Sequence, residues 1–387
     1  MSNKAKRGTE ILYGLIGEAR QYDDAIILGR GDPDFDTPAH IIDAARHAME
    51  HSSGEASPPE GILPLRRAIS DRVARRNGVV YDPADEIVFT NGGQEALMLM
   101  IAATLAPGDE IIVPEPNYNT YKDAVAFVGA SVVSVKTSAE QAFRTDPAEV
   151  RAALTARTKA ILLVSPNNPA ASVISRADQE AFIAIARERG LVLIADDIYD
   201  VLTYDGIEHV SAASLPGGRE RTLTLNALSK TYAMTGWRTG WVTGPADLMA
   251  TVRALKAGVS GPASIVAQYA ALAALTGPQD ELERMRSAYI ERRRIVLDAV
   301  KAMGLSFGQP QGGQFVFVDV SETGMDSVEL AQKVLREEHV LAYPGGAFSP
   351  DMSNFVRVTF LQSEDKLRDG MARFKRVVDD IRRTTGQ

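Results

Sequence analysis

The segment RTLTLNALSKTYAMTGWR, residues 221–238, contains the most informative pattern in this 387-residue chain. Its apolar alternation, Leu223-Thr224-Leu225, is typical of a buried strand and ends in a run of small residues. That run holds two cations, Lys230 and Arg238. The role of these two cations depends on which other residues the fold places near them.

Short apolar runs alternate with amphipathic helical segments through the middle of the chain. The helix-like segments include residues 95–105 and 176–189, where apolar residues recur every three to four positions. The apolar runs are residues 86–90, 110–114, 160–165, 192–195, 222–225 and 240–243. This alternation predicts an α/β fold with a mostly parallel sheet that helices cover on both faces.

A second, smaller unit is predicted from the remaining segments. A long helical segment, residues 281–303, leads to two strand-like runs at residues 314–320 and 355–360. The first 45 residues show no strand–helix rhythm, and we expect them to pack against this smaller α+β unit. We therefore predict a large domain at residues 46–282 and a small domain formed by residues 1–45 and 283–387.

Bulk composition limits the classes of function. The chain is 45% hydrophobic and 24% charged, and its formal net charge is −8, so neither nucleic acid nor an anionic membrane is an expected partner. The absence of cysteine excludes disulfides and thiolate chemistry, and the five histidines show no metal-ligand spacing, so no metal is expected. The N-terminus lacks the apolar core of a signal peptide, which predicts a cytoplasmic location.

Polar and aromatic residues follow the predicted strands, where parallel sheets bind ligands. These stretches are NGGQEA at 91–96, PEPNYNTY at 114–121, SPNNP at 165–169 and DDIY at 196–199. Taken singly, each fits a turn, a rigid loop or a helix N-cap at least as well as a binding site.

Taken together, these stretches describe one ligand. The glycine pair and Arg238 can hold a phosphate, and Asp196 can keep a ring nitrogen protonated. Tyr118 can cover a flat ring, while Asn168 and Tyr199 can hydrogen-bond a ring phenolate. Lys230 can form a Schiff base with an aldehyde. The ligand with all of these groups is pyridoxal 5′-phosphate.

At this point the sequence resembles the class I/II aminotransferases, the fold-type I pyridoxal-phosphate enzymes related to aspartate aminotransferase. The resemblance extends from LGRGDPDFDTP at 28–38 to FVRVTF at 355–360 and is most specific in SKTYAMTGWRTGW at 229–241. It implies a homodimer that moves an amino group between an L-amino acid and a 2-oxo acid through a ping-pong cycle. A β-lyase or a decarboxylase on the same fold remains the alternative.

The resemblance also implies residue roles. Catalysis falls to Lys230, Asp196 and Tyr199. Arg357 takes the substrate α-carboxylate, with Gly31 and Asn168 beside it. Cofactor binding is implied for Gly93, Gln94, Tyr118, Asn168, Asp196, Tyr199, Ser229, Lys230 and Arg238.

The sequence departs from the family pattern at two phosphate contacts. Ala56 stands where the family has a tyrosine that reaches the partner subunit's phosphate, and Ala227 stands where it has a serine. Each lost hydroxyl contact is worth about 1 kcal/mol. We therefore expect weaker cofactor binding, unless Ser229, Asn226 or an ordered water substitutes.

Two further classes fit the sequence less well. A nicotinamide dehydrogenase would need a G-x-G-x-x-G turn after an early strand, and a transcriptional sensor would need a basic DNA-binding segment; neither pattern is found. The sequence does not identify the substrate. Gln94 is neutral where some acidic-substrate relatives have a basic residue. Arg30 could supply a cation near the substrate side chain, but an ordinary surface arginine fits that position at least as well.

Overall fold

The structure is a computed structural model that describes residues 3–385. Its strands are β1 (Ile26–Ile27), β2 (Ile87–Asn91), β3 (Glu110–Glu115), β4 (Ser131–Lys136), β5 (Thr158–Val164), β6 (Val192–Asp196), β7 (Thr222–Ala227), β8 (Thr239–Thr243), β9 (Phe315–Asp319), β10 (Val340–Leu341), β11 (Tyr343–Pro344) and β12 (Phe355–Thr359). Its helices are α1 (Asn3–Ala19), α2 (Ala39–His51), α3 (Leu63–Asn77), α4 (Gly93–Thr104), α5 (Thr120–Phe127), α6 (Pro147–Ala152), α7 (Arg176–Arg189), α8 (Ala246–Leu255), α9 (Ile265–Thr276), α10 (Asp280–Ala302), α11 (Ser327–Glu338) and α12 (Glu364–Thr385). Within these residues, no helix combines the length and the apolarity needed to cross a membrane.

Seven strands form the main sheet, in the order β2-β8-β7-β6-β5-β3-β4. Strand β8 runs antiparallel to both β2 and β7, and the other pairs are parallel. The predicted α/β fold with a mostly parallel sheet is therefore confirmed.

Helices cover both faces of this sheet because its strands are apolar on both sides. In β5, Leu162 and Val164 pack into the cluster that includes α4 and α8, whereas Ile161 and Leu163 pack into the cluster that includes α7. Successive side chains of a strand point to opposite faces of the sheet. A continuous apolar run therefore packs against the helices on both faces.

The direction of the strands determines which loops meet at one edge of the sheet. Strands β2, β3, β5, β6 and β7 all point the same way, so the residues after their last positions lie at the same edge. Because β8 is antiparallel, its first residue also lies at that edge. This places Arg238, just before β8, near Lys230, just after β7.

A second sheet of three antiparallel strands, β11-β12-β9, lies in the C-terminal part of the chain. Its apolar side chains share one core with α10 and α12. Near the N-terminus, β1 pairs with β10 and α1 packs against α11, while α2 packs on α9 beside the large sheet. The two-domain division at residues 46 and 283 stays a prediction.

Two elements differ from the sequence expectation. The first 45 residues contain the 17-residue helix α1 and the short strand β1, so the expectation that they lack strand–helix rhythm is wrong. Strand β4 was not predicted. It lies at the edge of the sheet and most of its residues are exposed or half-buried, so its sequence lacks the continuous apolar run of a central strand.

Candidate active site

A cavity of about 760 Å³ lies at the edge of the large sheet where the strand-end loops meet. Helix α1 and strand β12 close its other sides. The cavity brings together all of the sequence-predicted site residues, namely Gly31, Gly93, Gln94, Tyr118, Asn168, Asp196, Tyr199, Ser229, Lys230, Arg238 and Arg357.

Lys230 reaches the cavity from the loop after β7. Its Nζ donates a hydrogen bond to the Gly31 carbonyl oxygen at 2.6 Å and lies 3.5 Å from Asp32 Oδ1. Burial lowers the pKa of Lys230 below its ordinary value, although the Asp32 carboxylate acts in the opposite direction. A lower pKa leaves more of the amine neutral, which is the form that attacks a carbonyl carbon or accepts a proton.

Asp196 forms the floor of the cavity at the last position of β6. Its Oδ2 accepts a hydrogen bond from the Tyr121 hydroxyl at 2.7 Å, and its Oδ1 accepts one from the Ile198 amide at 3.2 Å. Burial raises the pKa of Asp196 to about 6, against these two hydrogen bonds. No salt bridge to Asp196 is found among residues 8–384, so within that part of the chain this buried carboxylate lacks a cation.

A concave backbone surface lies at the first turn of α4. Gly92 has φ of +85°, and a Cβ atom there would lie 2.5 Å from Arg238 Nη2, so the close approach of the guanidinium requires glycine. Arg238 donates to the carbonyl oxygens of Thr235 at 3.2 Å and Asn91 at 3.5 Å. Amides at a helix N-terminus beside an arginine form an anion site.

Arg357 approaches the cavity from β12 and is 4% exposed. Its guanidinium donates to Asn168 Oδ1 at 2.7 Å and to the Gly29 carbonyl oxygen at 2.6 Å. The guanidinium carbon also lies 4.8–5.2 Å from the ring centres of Phe315, Tyr343 and Phe348.

The hydrogen bonds of Arg357 involve its two Nη atoms and leave Nε unpaired among the described residues. Its Nε is buried without a hydrogen-bond partner in the described part of the chain. Burial also lowers the pKa of Arg357, because a charged guanidinium is costly away from water. A carboxylate ligand would supply the missing anion and acceptor.

The remaining predicted residues surround the same space. Tyr199 is buried and packs edge-to-face on Phe315, whereas Tyr118 keeps 37% of its surface exposed toward the cavity mouth. Gly31 was predicted beside Arg357. Its carbonyl oxygen instead accepts from Lys230, and Gly29 provides the carbonyl that Arg357 contacts.

Three features of the site were missed from the sequence. Tyr121 follows Tyr118 by three residues and lies on the first turn of α5, from which its hydroxyl reaches Asp196. Asp32, next to Lys230, follows directly after Gly31 in the quoted N-terminal stretch. The third feature is α1, whose apolar side chains line the outer wall of the cavity.

These residues fit pyridoxal 5′-phosphate. The phosphate would lie against α4 and Arg238, and the protonated ring nitrogen would provide the cation that Asp196 lacks. Ala227, beside Gly93, offers no hydroxyl. The Asn226 side chain is already engaged, because its Nδ2 donates to the Asp197 carbonyl oxygen and its Oδ1 accepts from the Ala227 amide.

Comparisons with known proteins agree with this geometry. A family model described as aminotransferase class I and II matches residues 23–374. An arginine–pyruvate transaminase of Pseudomonas aeruginosa is 40% identical over 94% of this chain and 92% of its own length. An aspartate/prephenate aminotransferase of Thermus thermophilus is 38% identical over 93% of this chain and 92% of its own length.

The similarity extends to three dimensions. The crystal structure of an aromatic aminotransferase from Pyrococcus horikoshii superimposes with a TM-score of 0.90 at 34% identity, covering 95% of this chain and 99% of that one. Such matches confirm the predicted fold-type I architecture. The substrates in these three names differ, so the comparisons agree on the reaction and not on the amino donor.

Proposed function

Because the chain belongs to the class I and II aminotransferase family, its reaction is amino-group transfer, and we propose that pyridoxal 5′-phosphate in the cavity carries the amino group from an L-amino acid to a 2-oxo acid. The observation that carries the cofactor assignment is Asp196, a buried carboxylate without a cation at the floor of the cavity. When bound, the cofactor supplies an aldehyde for the amino group and a protonated ring that accepts an electron pair.

Different residues of the cavity would bind different groups of the cofactor. Arg238 and the first amides of α4 bind the phosphate, Tyr118 covers the ring, and Asn168 and Tyr199 hydrogen-bond the ring oxygen. Asp196 holds the proton on the ring nitrogen, because an adjacent anion favours the charged form.

Lys230 and Arg357 would act on the substrate. A bidentate arginine–carboxylate contact is worth roughly 1.5–3 kcal/mol, and at Arg357 it would fix the α-carbon of the amino acid in the cavity. Lys230 projects into the same cavity, and burial lowers its pKa, so its neutral amine can move a proton to and from that carbon.

We also propose a homodimer, as the family resemblance implies. Large apolar side chains are exposed on the elements that surround α9. Met49 and Ile42 on α2 are 56% and 37% exposed, Leu63 at the start of α3 is 39% exposed, and Val259 before α9 is 76% exposed. Burial of such side chains by a second copy of the chain would stabilise the dimer. Sedimentation equilibrium measures the mass of the assembly in solution directly. The cytoplasmic location stays a prediction.

A half-reaction assay tests the proposed function. Cofactor-loaded protein is mixed with each common L-amino acid, and the absorbance of the bound cofactor is followed. Transamination predicts a spectral change that a 2-oxo acid reverses. Lys230→Ala should abolish the change, while Lys159→Ala, at an exposed lysine of β5, should leave it intact. Release of ammonia or carbon dioxide without reversal would contradict transamination in favour of a lyase or a decarboxylase.

A further inference from the structure

The cavity is lined by more cationic than anionic side chains. Two carboxylates line the cavity, Asp32 and Asp196, against five cationic side chains, Arg20, Arg30, Lys230, Arg238 and Arg357. A phosphate group carries up to two negative charges, and the α-carboxylate of an amino acid carries one more. With Arg238 assigned to the phosphate and Arg357 to the α-carboxylate, Arg20 and Arg30 are the remaining arginines of the cavity that could meet a second substrate carboxylate.

Arg30 and Arg20 are poorly suited to bind a side-chain carboxylate. Arg30 Nε is already paired with Asp32 Oδ2 at 2.5 Å, so a substrate carboxylate would compete with a protein carboxylate for it. Arg20, which directly follows α1, is solvent-exposed, and a single ion pair at such a position contributes little. Gln94, at the phosphate end, is neutral.

The outer wall itself is apolar. Leu12, Ile16 and Ala19 recur at positions i, i+4 and i+7 of α1 and therefore line one face of that helix. Ile27 of β1 continues the same wall. Leu12, Ile16 and Ile27 are only partly buried in the unliganded chain, so they retain apolar surface that a ligand side chain would remove from water.

We propose that the preferred amino donor of this site carries a large apolar side chain, aliphatic or aromatic, and that Ile16 on α1 contributes to this preference. The inference rests on the proposed transamination. The α-carboxylate at Arg357 and the reacting carbon at Lys230 direct the donor side chain toward the apolar wall. A dicarboxylic donor would leave its second charge beside that wall, and a cationic donor would have to displace Arg30 from Asp32.

The test compares half-reaction rate constants of the cofactor-loaded protein for L-phenylalanine, L-leucine, L-aspartate and L-arginine. We expect the two apolar donors to exceed L-aspartate and L-arginine by at least about tenfold, the scale on which an apolar pocket discriminates. Ile16→Ala should lower the rate constant for L-phenylalanine about tenfold and leave that for L-aspartate nearly unchanged. Ile16→Lys should shift the ratio toward L-aspartate by at least the same factor.

Ile11→Ala is the matched control. Ile11 lies on the same helix and packs against the same apolar cluster, but it does not line the cavity, so its loss should preserve the donor ranking. Ile27→Ala tests the wall independently if the Ile16 variants fail to fold. L-Aspartate or L-arginine as the best wild-type donor would overturn the inference and leave transamination intact. No spectral change with any donor would reject the proposed function, and the inference with it.

Discussion

The charge on Asp196 lowers the stability of the empty protein, and we propose that it would stabilise a bound cofactor. Burial raises the pKa of this carboxyl from its ordinary value of 3.8 to about 6. Between these two values the folded chain retains a proton that the unfolded chain has released. Because the folded state then binds more protons, the stability contribution of Asp196 falls as the pH rises through this window, and its full cost is reached above about pH 6.

Replacing Asp196 with asparagine should therefore stabilise the cofactor-free protein at pH 7. A shift of this size corresponds to about 3 kcal/mol in the free energy of unfolding, and the gain should disappear as the pH approaches 4. Urea unfolding of Asp196→Asn and the unmodified protein at several pH values measures this difference in the free energy of unfolding. Asp197→Asn is the control, because Asp197 lies 3.3 Å from His209 Nε2 and its loss should destabilise the fold. A destabilised Asp196→Asn protein at pH 7 would refute this account.

Tyr121 is a positioning residue for Asp196. Its hydroxyl donates to the carboxylate and favours the anionic form that a protonated ring nitrogen requires. Hydrogen bonds to charged groups are worth about 1.5–3 kcal/mol, so Tyr121→Phe should raise the dissociation constant for pyridoxal 5′-phosphate at least about tenfold. Absorbance titration of the cofactor-free protein measures this constant.

Tyr204→Phe provides the comparison for Tyr121→Phe. Tyr204 is also buried, and its hydroxyl donates to the Gly313 carbonyl oxygen at 2.8 Å, outside the cavity. That variant should lose stability and keep its cofactor affinity. Equal cofactor affinity in Tyr121→Phe and the unmodified protein would show that Tyr121 does not support Asp196.

At the scale of elements, helix α4 depends on a buried ion pair at its first turn. Lys256 is fully buried in a single π-helical turn, Lys256–Ser260, and its Nζ lies 2.9 and 3.0 Å from the two carboxylate oxygens of Glu95. Glu95 also accepts from the Asn91 amide, just before α4. Lys256 therefore neutralises a carboxylate next to the proposed phosphate site.

Breaking this pair should destabilise the protein. Lys256→Met leaves Glu95 without its counter-charge, and removal of one partner from a buried pair costs about 3 kcal/mol in the free energy of unfolding. Urea unfolding should show most of that loss recovered in the double variant with Glu95→Gln. The exposed pair between Lys375 and Asp379 is the control, since Lys375→Met should cost less than about 1 kcal/mol. Equal losses for the two lysine variants would contradict this role of Lys256.

The elements that sequence patterns predicted best are those with one environment along their whole length. The central strands β5, β6 and β7 are buried on both faces, and the apolar runs of β5 and β6 and the Thr–Leu alternation of β7 match the predicted positions closely. Strand β4 and helix α1 were missed, because an edge strand and a helix with a half-exposed face carry weaker patterns. The antiparallel direction of β8 decides where Arg238 lies, and no local pattern encodes it.

At the scale of the whole molecule, the cavity combines residues that are far apart in the chain. The loops of the large sheet contribute Lys230 and Asp196, while β12 contributes Arg357 and α1 contributes the outer wall. The strand-end rule predicted the first group from their positions after the strands. Arg357 was predicted only through resemblance to the family, and Tyr121 required a side-chain contact that spacing alone cannot reveal.

Polar contacts also link the large sheet and the C-terminal part of the chain. Ser349 Oγ donates to Glu115 Oε2 at 3.1 Å, and Arg293 Nη2 pairs with Asp205 Oδ2 at 2.6 Å. Such contacts would hold Arg357 in register with Lys230. A substrate bound by its carboxylate to one part would then present its α-carbon to the other.

We propose that Lys230 would form a covalent bond with the carbonyl carbon of pyridoxal 5′-phosphate bound in this cavity. The most direct measurement is borohydride reduction of the cofactor-loaded protein, followed by proteolysis and mass spectrometry of the labelled peptide. We expect one pyridoxyl group per chain, attached to Lys230, and no labelling in Lys230→Ala. Labelling at another lysine, or a complex that reduction leaves unlabelled, would contradict it.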